Sequence, residues 1–120
     1  MAENDQKDQL SARLMNYCVE IVKLTTIMQQ TPAERHMGEQ LLRASTSAGA
    51  TYEEARAAES KADLARELRL VLRALRESVF WLKLIQKSGI SRDPIVTTLI
   101  EHARQMVNAI AKSVATAKSQ

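Results

Sequence analysis

Six cationic side chains recur on one side of a single predicted helix: Arg66, Arg69, Arg73, Arg76, Lys83 and Lys87. At about 100° per residue they share one flank. Their chemistry is ionic capture. A guanidinium presents a planar fork of donors that matches phosphate or carboxylate at two points. Three destinations fit the stripe: the phosphates of a nucleic acid, carboxylates of the bundle or a neighbouring subunit such as Glu53 or Glu54, and plain solvent. Asp63 and Arg66 are spaced to pair at i, i+3, and Arg73 and Glu77 at i, i+4, each worth about 0.3 kcal/mol. Most of the remaining cations lack a well-placed acid on the same helix. Lys61 to Ser88 holds seven basic residues against three acidic ones, a net +4. The whole chain is +3, so everything outside this segment sums to −1.

Catalytic chemistry finds no comparable pattern. His36 and His102 stand alone, and Glu101 and His102 are adjacent rather than spaced for one helical face. Zinc-protease, serine-hydrolase and phosphate-loop motifs are absent. The apolar seams offer no inward carboxylates or E-x-x-H pairs for a di-iron centre. Cys18 is the single cysteine and falls at the edge of an apolar seam, where packing is a better role than nucleophilic attack. Ser45 and Ser47 read as helix-packing residues. The sequence therefore predicts a binding or assembly module with no catalytic residue, no metal and no cofactor.

Four helices must position the stripe. The first is expected from about Asp5 to Gln30, with Leu10, Leu14, Tyr17, Ile21, Leu24 and Met28 alternating spacings of four and three. Thr31 and Pro32 stop it and open the second, Thr31 as N-cap, Pro32 at the first helical position and Glu34 completing a capping box. The second runs to about Glu59, with Met37, Leu41, Ala44, Ser45, Ala48, Tyr52 and Ala55 inward. Its segment RASTSAGATYEEARAA is mostly small residues, which lets another helix approach closely. Gly49 costs about 1 kcal/mol relative to Ala in a helix interior. Close approach is one reason for it, and a break in the helix is the other.

Ser60 caps the third helix, with Asp63 three residues on, and Gly89 ends it in a left-handed cap. Leu64, Leu68, Val71, Leu72, Leu75, Val79 and Leu82 form its core face. On the flank away from the arginines lie Leu70, Ala74, Trp81 and Ile85. This flank is either a subunit interface anchored by Trp81 or, for Trp81, a cover over a neighbouring helix. Asp93 and Pro94 open the fourth helix, seamed by Val96, Ile100, Ala103, Val107, Ile110 and Val114 to about Ala117. The end, AKSQ, is expected to fray.

Similar lengths and short connections make this an all-α, antiparallel up-down-up-down four-helix bundle. Its 120 residues suffice for a single domain, 1–120, with one core. Aromatics are only 3%, so that core is aliphatic. The opening stretch MAENDQKDQ is polar without an apolar signal segment, and no run approaches a membrane span. A reducing cytoplasm is the expected location.

The stretch from Leu41 to Leu84 resembles the four-helix bundle family named for genes in intervening sequences of large-subunit ribosomal RNA. The matching features are L-x-R-A-x-x-S (Leu41, Arg43, Ala44, Ser47), E-A-x-x-A-x-S (Glu54, Ala55, Ala58, Ser60) and L-x-x-L-R-E-S-x-x-W-L (Leu72, Leu75, Arg76, Glu77, Ser78, Trp81, Leu82). The resemblance implies a bundle that assembles with itself, as a homopentameric barrel. The accessory proteins of diversity-generating retroelements look similar, which implies nucleic-acid binding through basic surfaces and association with a reverse transcriptase. By that resemblance Arg43 joins Arg66, Arg69 and Arg73 as a candidate nucleic-acid contact. The competing expectations are a homo-oligomer that binds RNA or DNA through its third helix, and an accessory scaffold whose partner is a protein. With so few aromatics, contacts are expected to go to phosphates rather than bases.

Overall fold

The capping signals fix where the chain turns. The computed structural model describes residues 2–118, with side chains from Asp5 to Lys118; Ser119 and Gln120, half of the AKSQ end, lie outside the described residues. Four helices account for almost all of it: α1 (Ala2–Thr26), α2 (Pro32–Arg56), α3 (Lys61–Ser88) and α4 (Ile95–Lys118). They form an antiparallel four-helix bundle 48 × 22 × 19 Å across.

Four of the helix ends follow the expected chemistry. Thr31 Oγ1 accepts from Glu34 N–H at 3.1 Å, with Pro32 as the first helical residue. The return half of the box differs, because the Glu34 carboxylate faces the Thr31 hydroxyl (3.5 Å) rather than its backbone N–H. Ser60 Oγ accepts from Asp63 N–H at 3.0 Å, and Gly89 closes α3 at φ 74°, a conformation that costs a side-chain-bearing residue. Asp93 Oδ1 accepts from Ile95 N–H at 2.9 Å at the start of α4.

The first helix ends four residues before the expected Gln30. Thr25 and Thr26 turn their hydroxyls onto the carbonyls of Ile21 (2.8 Å) and Val22 (2.6 Å). The next bonds are of the tighter i, i+3 kind, Ile27 N–H to Leu24 and Met28 N–H to Thr25. Back-bonding threonines loosen the α ladder, and the tighter turn swings Met28 inward to 2% exposure. The second helix likewise stops at Arg56 rather than Glu59, in two i, i+3 bonds at Ala57 and Ala58.

All of the expected inward residues of α1 and α2 are buried. Small residues of α2 face α1 closely, with Cys18 Sγ 3.2 Å from the Ser45 carbonyl. A Cβ placed on Gly49 would lie 3.1 Å from Cys18 Sγ, so the glycine marks a close approach and α2 runs through it unbroken. On α3 and α4 the core is wider than one seam. Ile85, Leu99 and Met106 are also fully buried: α3 packs heavily on both α2 and α4, and Leu99 and Met106 of α4 turn towards Tyr17 of α1. Interhelical packing is extensive along α2–α3 and α3–α4 and thinnest along α1–α4.

Candidate nucleic-acid interface

Burial of Leu68, Val71, Leu75 and Leu82 orients α3 and decides what faces water. Arg66, Arg69, Arg73, Arg76 and Lys87 lie on the exposed side, and Lys83 is half-buried at its edge. From Arg66 to Lys87 the stripe extends about 31 Å at about 1.5 Å per residue.

The ion pairs sort these groups. Arg66 is held by Asp63 (3.0 Å), as its spacing predicts, and approaches Glu67. Arg73 does not take Glu77. That carboxylate instead accepts from Arg43 of α2 (2.5 Å) and from the Trp81 indole N–H (3.0 Å). Arg43 also donates to Gln40 at 2.9 Å. Among the described residues, Arg69, Arg73, Arg76, Lys83 and Lys87 have no hydrogen-bond or ion-pair partner. The paired Arg43 and Arg66 remain accessible, with side chains 59% and 62% exposed. Exposed pairs of this kind are worth about 0–1 kcal/mol, so a polyanion can displace them at little cost.

The opposite flank of α3 is not one surface. Leu70 is exposed and Ala74 half-buried, but Ile85 is completely buried in the core and faces no partner. Trp81 is half-buried and roofs the α2–α3 edge, its indole tied to Glu77 and edge-on to His36 at 5.8 Å.

Two residues join this face beyond those the helical spacing predicts. Phe80 is 57% exposed and packs edge-to-face on Trp81, ring centres 5.0 Å apart. On the helical wheel Phe80 aligns with Arg73 and Arg76 rather than with Leu75 and Leu82, which was the available signal. Arg104, on α4, shares a groove of about 260 Å³ with Arg76. Val79 and Val107 floor it, and Asn108 adds an amide. Arg104 also lacks a partner among the described residues. Its contribution depends on packing between α3 and α4, which one helix's periodicity does not show. Two free guanidiniums and an amide above an apolar floor suit an oxyanion.

Other polar groups make contacts within the bundle. Cys18 is half-buried, burial pushes its thiol pKa up, and its Sγ donates to the Ser45 carbonyl at 3.2 Å. The Tyr17 and Ser78 hydroxyls meet in the interior at 2.8 Å. Along α1–α4 a shallow groove over Leu99 and Met106 is bridged by Arg13 and Gln105 at 2.9 Å, with His102 at its rim. Among the described residues, no helix is long and apolar enough to cross a membrane.

Comparison with known proteins adds two findings. The family model described as 23S rRNA-intervening sequence protein matches residues 7–112. Among solved structures, the chain is similar to a protein of unknown function from the S23 ribosomal protein family of Bacteroides thetaiotaomicron. The TM-score is 0.83 at 23% identity, over 91% of this chain and 97% of that one, a likeness that shows the shared four-helix fold. No curated protein matches.

Proposed function

The chain belongs to the 23S rRNA-intervening sequence protein family, and we propose that it is a non-enzymatic, self-assembling bundle that binds nucleic acid along α3. One observation carries this reading: the exposed Arg69, Arg73, Arg76 and Lys87, and the half-buried Lys83 at their edge, are without ion-pair or hydrogen-bond partners among the described residues. Groups held in reserve this way gain most from phosphates, whose condensed counterions they release.

Self-assembly multiplies the effect. A net charge of +3 per chain is modest. A ring of copies, five by the family resemblance, repeats the stripe and sums the field. Met15, Val19 and Val22 on α1 are 63%, 42% and 46% exposed at i, i+4, i+7 spacing, which favours contact with another copy.

The test is anisotropy of a labelled RNA across a salt series. With about five phosphate contacts, log affinity falls against log salt with a slope of about −3.5 on a single strand. The double variant Arg69→Glu, Arg73→Glu weakens binding at least about tenfold at 0.1 M salt. A salt-insensitive affinity, or an unchanged double variant that keeps its helical circular dichroism, removes the reading.

A second reading makes the same face a dock for a protein such as a reverse transcriptase. Leu70 and Leu84, 43% and 38% exposed beside the cations, favour it. Under that reading RNA binding is negligible, and removing Leu70 and Leu84 costs more than removing the arginines.

A further inference from the structure

Exposed apolar side chains are common singly and then carry no message. Phe80 is a different case. It stands inside the cationic stripe, one helical turn from Arg76 and two from Arg73, with Lys83 and Lys87 beyond it. Those four cations are all unpaired within the described residues. The ring is braced edge-to-face by Trp81, at 79° between planes, while over half of its surface remains in water. The groove holding Arg76, Arg104 and Asn108 opens beside the same stretch of α3.

Phosphate capture alone does not use an aromatic. In a duplex the bases stack on one another, so a phenyl ring on the protein surface gains no base to cover. In a single strand each unstacked base has a free π-face, and a braced aromatic flanked by phosphate-binding cations is the arrangement that takes it. Building on the nucleic-acid reading of α3, we infer that the occupant of this face is a single-stranded polynucleotide. One unpaired base stacks on Phe80, and a neighbouring phosphate sits between Arg76 and Arg104. This adds one base contact to the phosphate contacts expected from the sequence, through the chain's only phenylalanine.

The test uses a labelled 12-nucleotide RNA, DNA of the same sequence, and the blunt RNA duplex, each against the intact protein by anisotropy. Phe80→Ala weakens binding of the single strand roughly tenfold and changes the duplex by less than about twofold, while Phe80→Tyr restores the single strand. The RNA and DNA arms tell which strand is preferred. Trp81 is the only tryptophan and gives a second readout, its emission changing with single strand and not with duplex.

Equal losses on single strand and duplex, or an unchanged Phe80→Ala, overturn the inference. A Phe80→Ala that lowers the mass in light scattering without weakening RNA binding also overturns it, assigning the ring to self-association. If Arg69→Glu, Arg73→Glu still abolishes binding in those cases, the cationic reading stands without the stacking. If no probe binds, both fall.

Discussion

The Tyr17 hydroxyl of α1 meets the Ser78 hydroxyl of α3 at 2.8 Å in the bundle interior. Ser78 Oγ spends its own proton on the Leu75 carbonyl at 2.7 Å, so Tyr17 is the donor and Ser78 the acceptor. Tyr17 is 2% exposed, and burial pushes its pKa up to about 12 against the lowering effect of the Ser78 bond.

The two ends of this bond carry unequal cost. Tyr17→Phe removes the donor and leaves Ser78 still bonded to Leu75, for about 1 kcal/mol. Ser78→Ala takes the acceptor from a buried phenolic O–H and leaves it only the Ser45 hydroxyl, for about 1–3 kcal/mol. Urea midpoints of the two variants give the order, and a Ser78→Ala milder than Tyr17→Phe would contradict the geometry.

The same tyrosine sets an alkaline limit. Its folded pKa lies above its ordinary value of 10.0. The stability it contributes is therefore complete below about pH 10 and is lost as pH rises towards about 12. The loss is on the order of 2 kcal/mol. Unfolding free energy measured from pH 9 to 12 falls more steeply in the wild type than in Tyr17→Phe.

Gly49 and Cys18 are coupled through the 3.1 Å between a Gly49 Cβ and Cys18 Sγ. Alanine at 49 gains about 1 kcal/mol of helix propensity but crowds the sulfur. Gly49→Ala therefore stabilises the Cys18→Ala background more than the wild type. A double-mutant cycle in Tm measures the coupling, and strict additivity would refute it.

Glu77 is the one acidic residue of α3 between Arg69 and Lys87. Glu77→Gln keeps an oxygen for the Trp81 indole and removes one negative charge. RNA affinity rises about threefold at 0.1 M salt. Arg104→Ala lowers it as much as Arg76→Ala, since both line one groove. Anisotropy titration checks both.

What the sequence makes legible is local. Thr31, Pro32, Ser60, Gly89 and Asp93 act within three or four residues of themselves, and they mark their turns correctly. The heptad-like seams find most of the core for the same reason. Ile85 lies in the core rather than on the outer flank its stripe predicts, because a single stripe underestimates the arc that α3 buries between α2 and α4. The site is less legible because its decisive contacts are distant in sequence. Glu77 has a suitable partner four residues away in Arg73 and takes Arg43 instead, 34 positions distant. Arg104 joins Arg76 only once α3 and α4 have packed. Phe80 is hard to read from composition, because a low aromatic content does not say which face a single ring occupies.

The thin α1–α4 seam ranks the parts of the molecule by how readily they come apart. α2, α3 and α4 form a continuous packed layer, whereas α1 is anchored chiefly along α2 and by the Tyr17 hydroxyl. Its amides thus exchange with deuterium soonest, and the remaining three helices keep their protection through that opening. The rod sheds one stave before it collapses, and the stave it sheds is the one that carries Met15, Val19 and Val22.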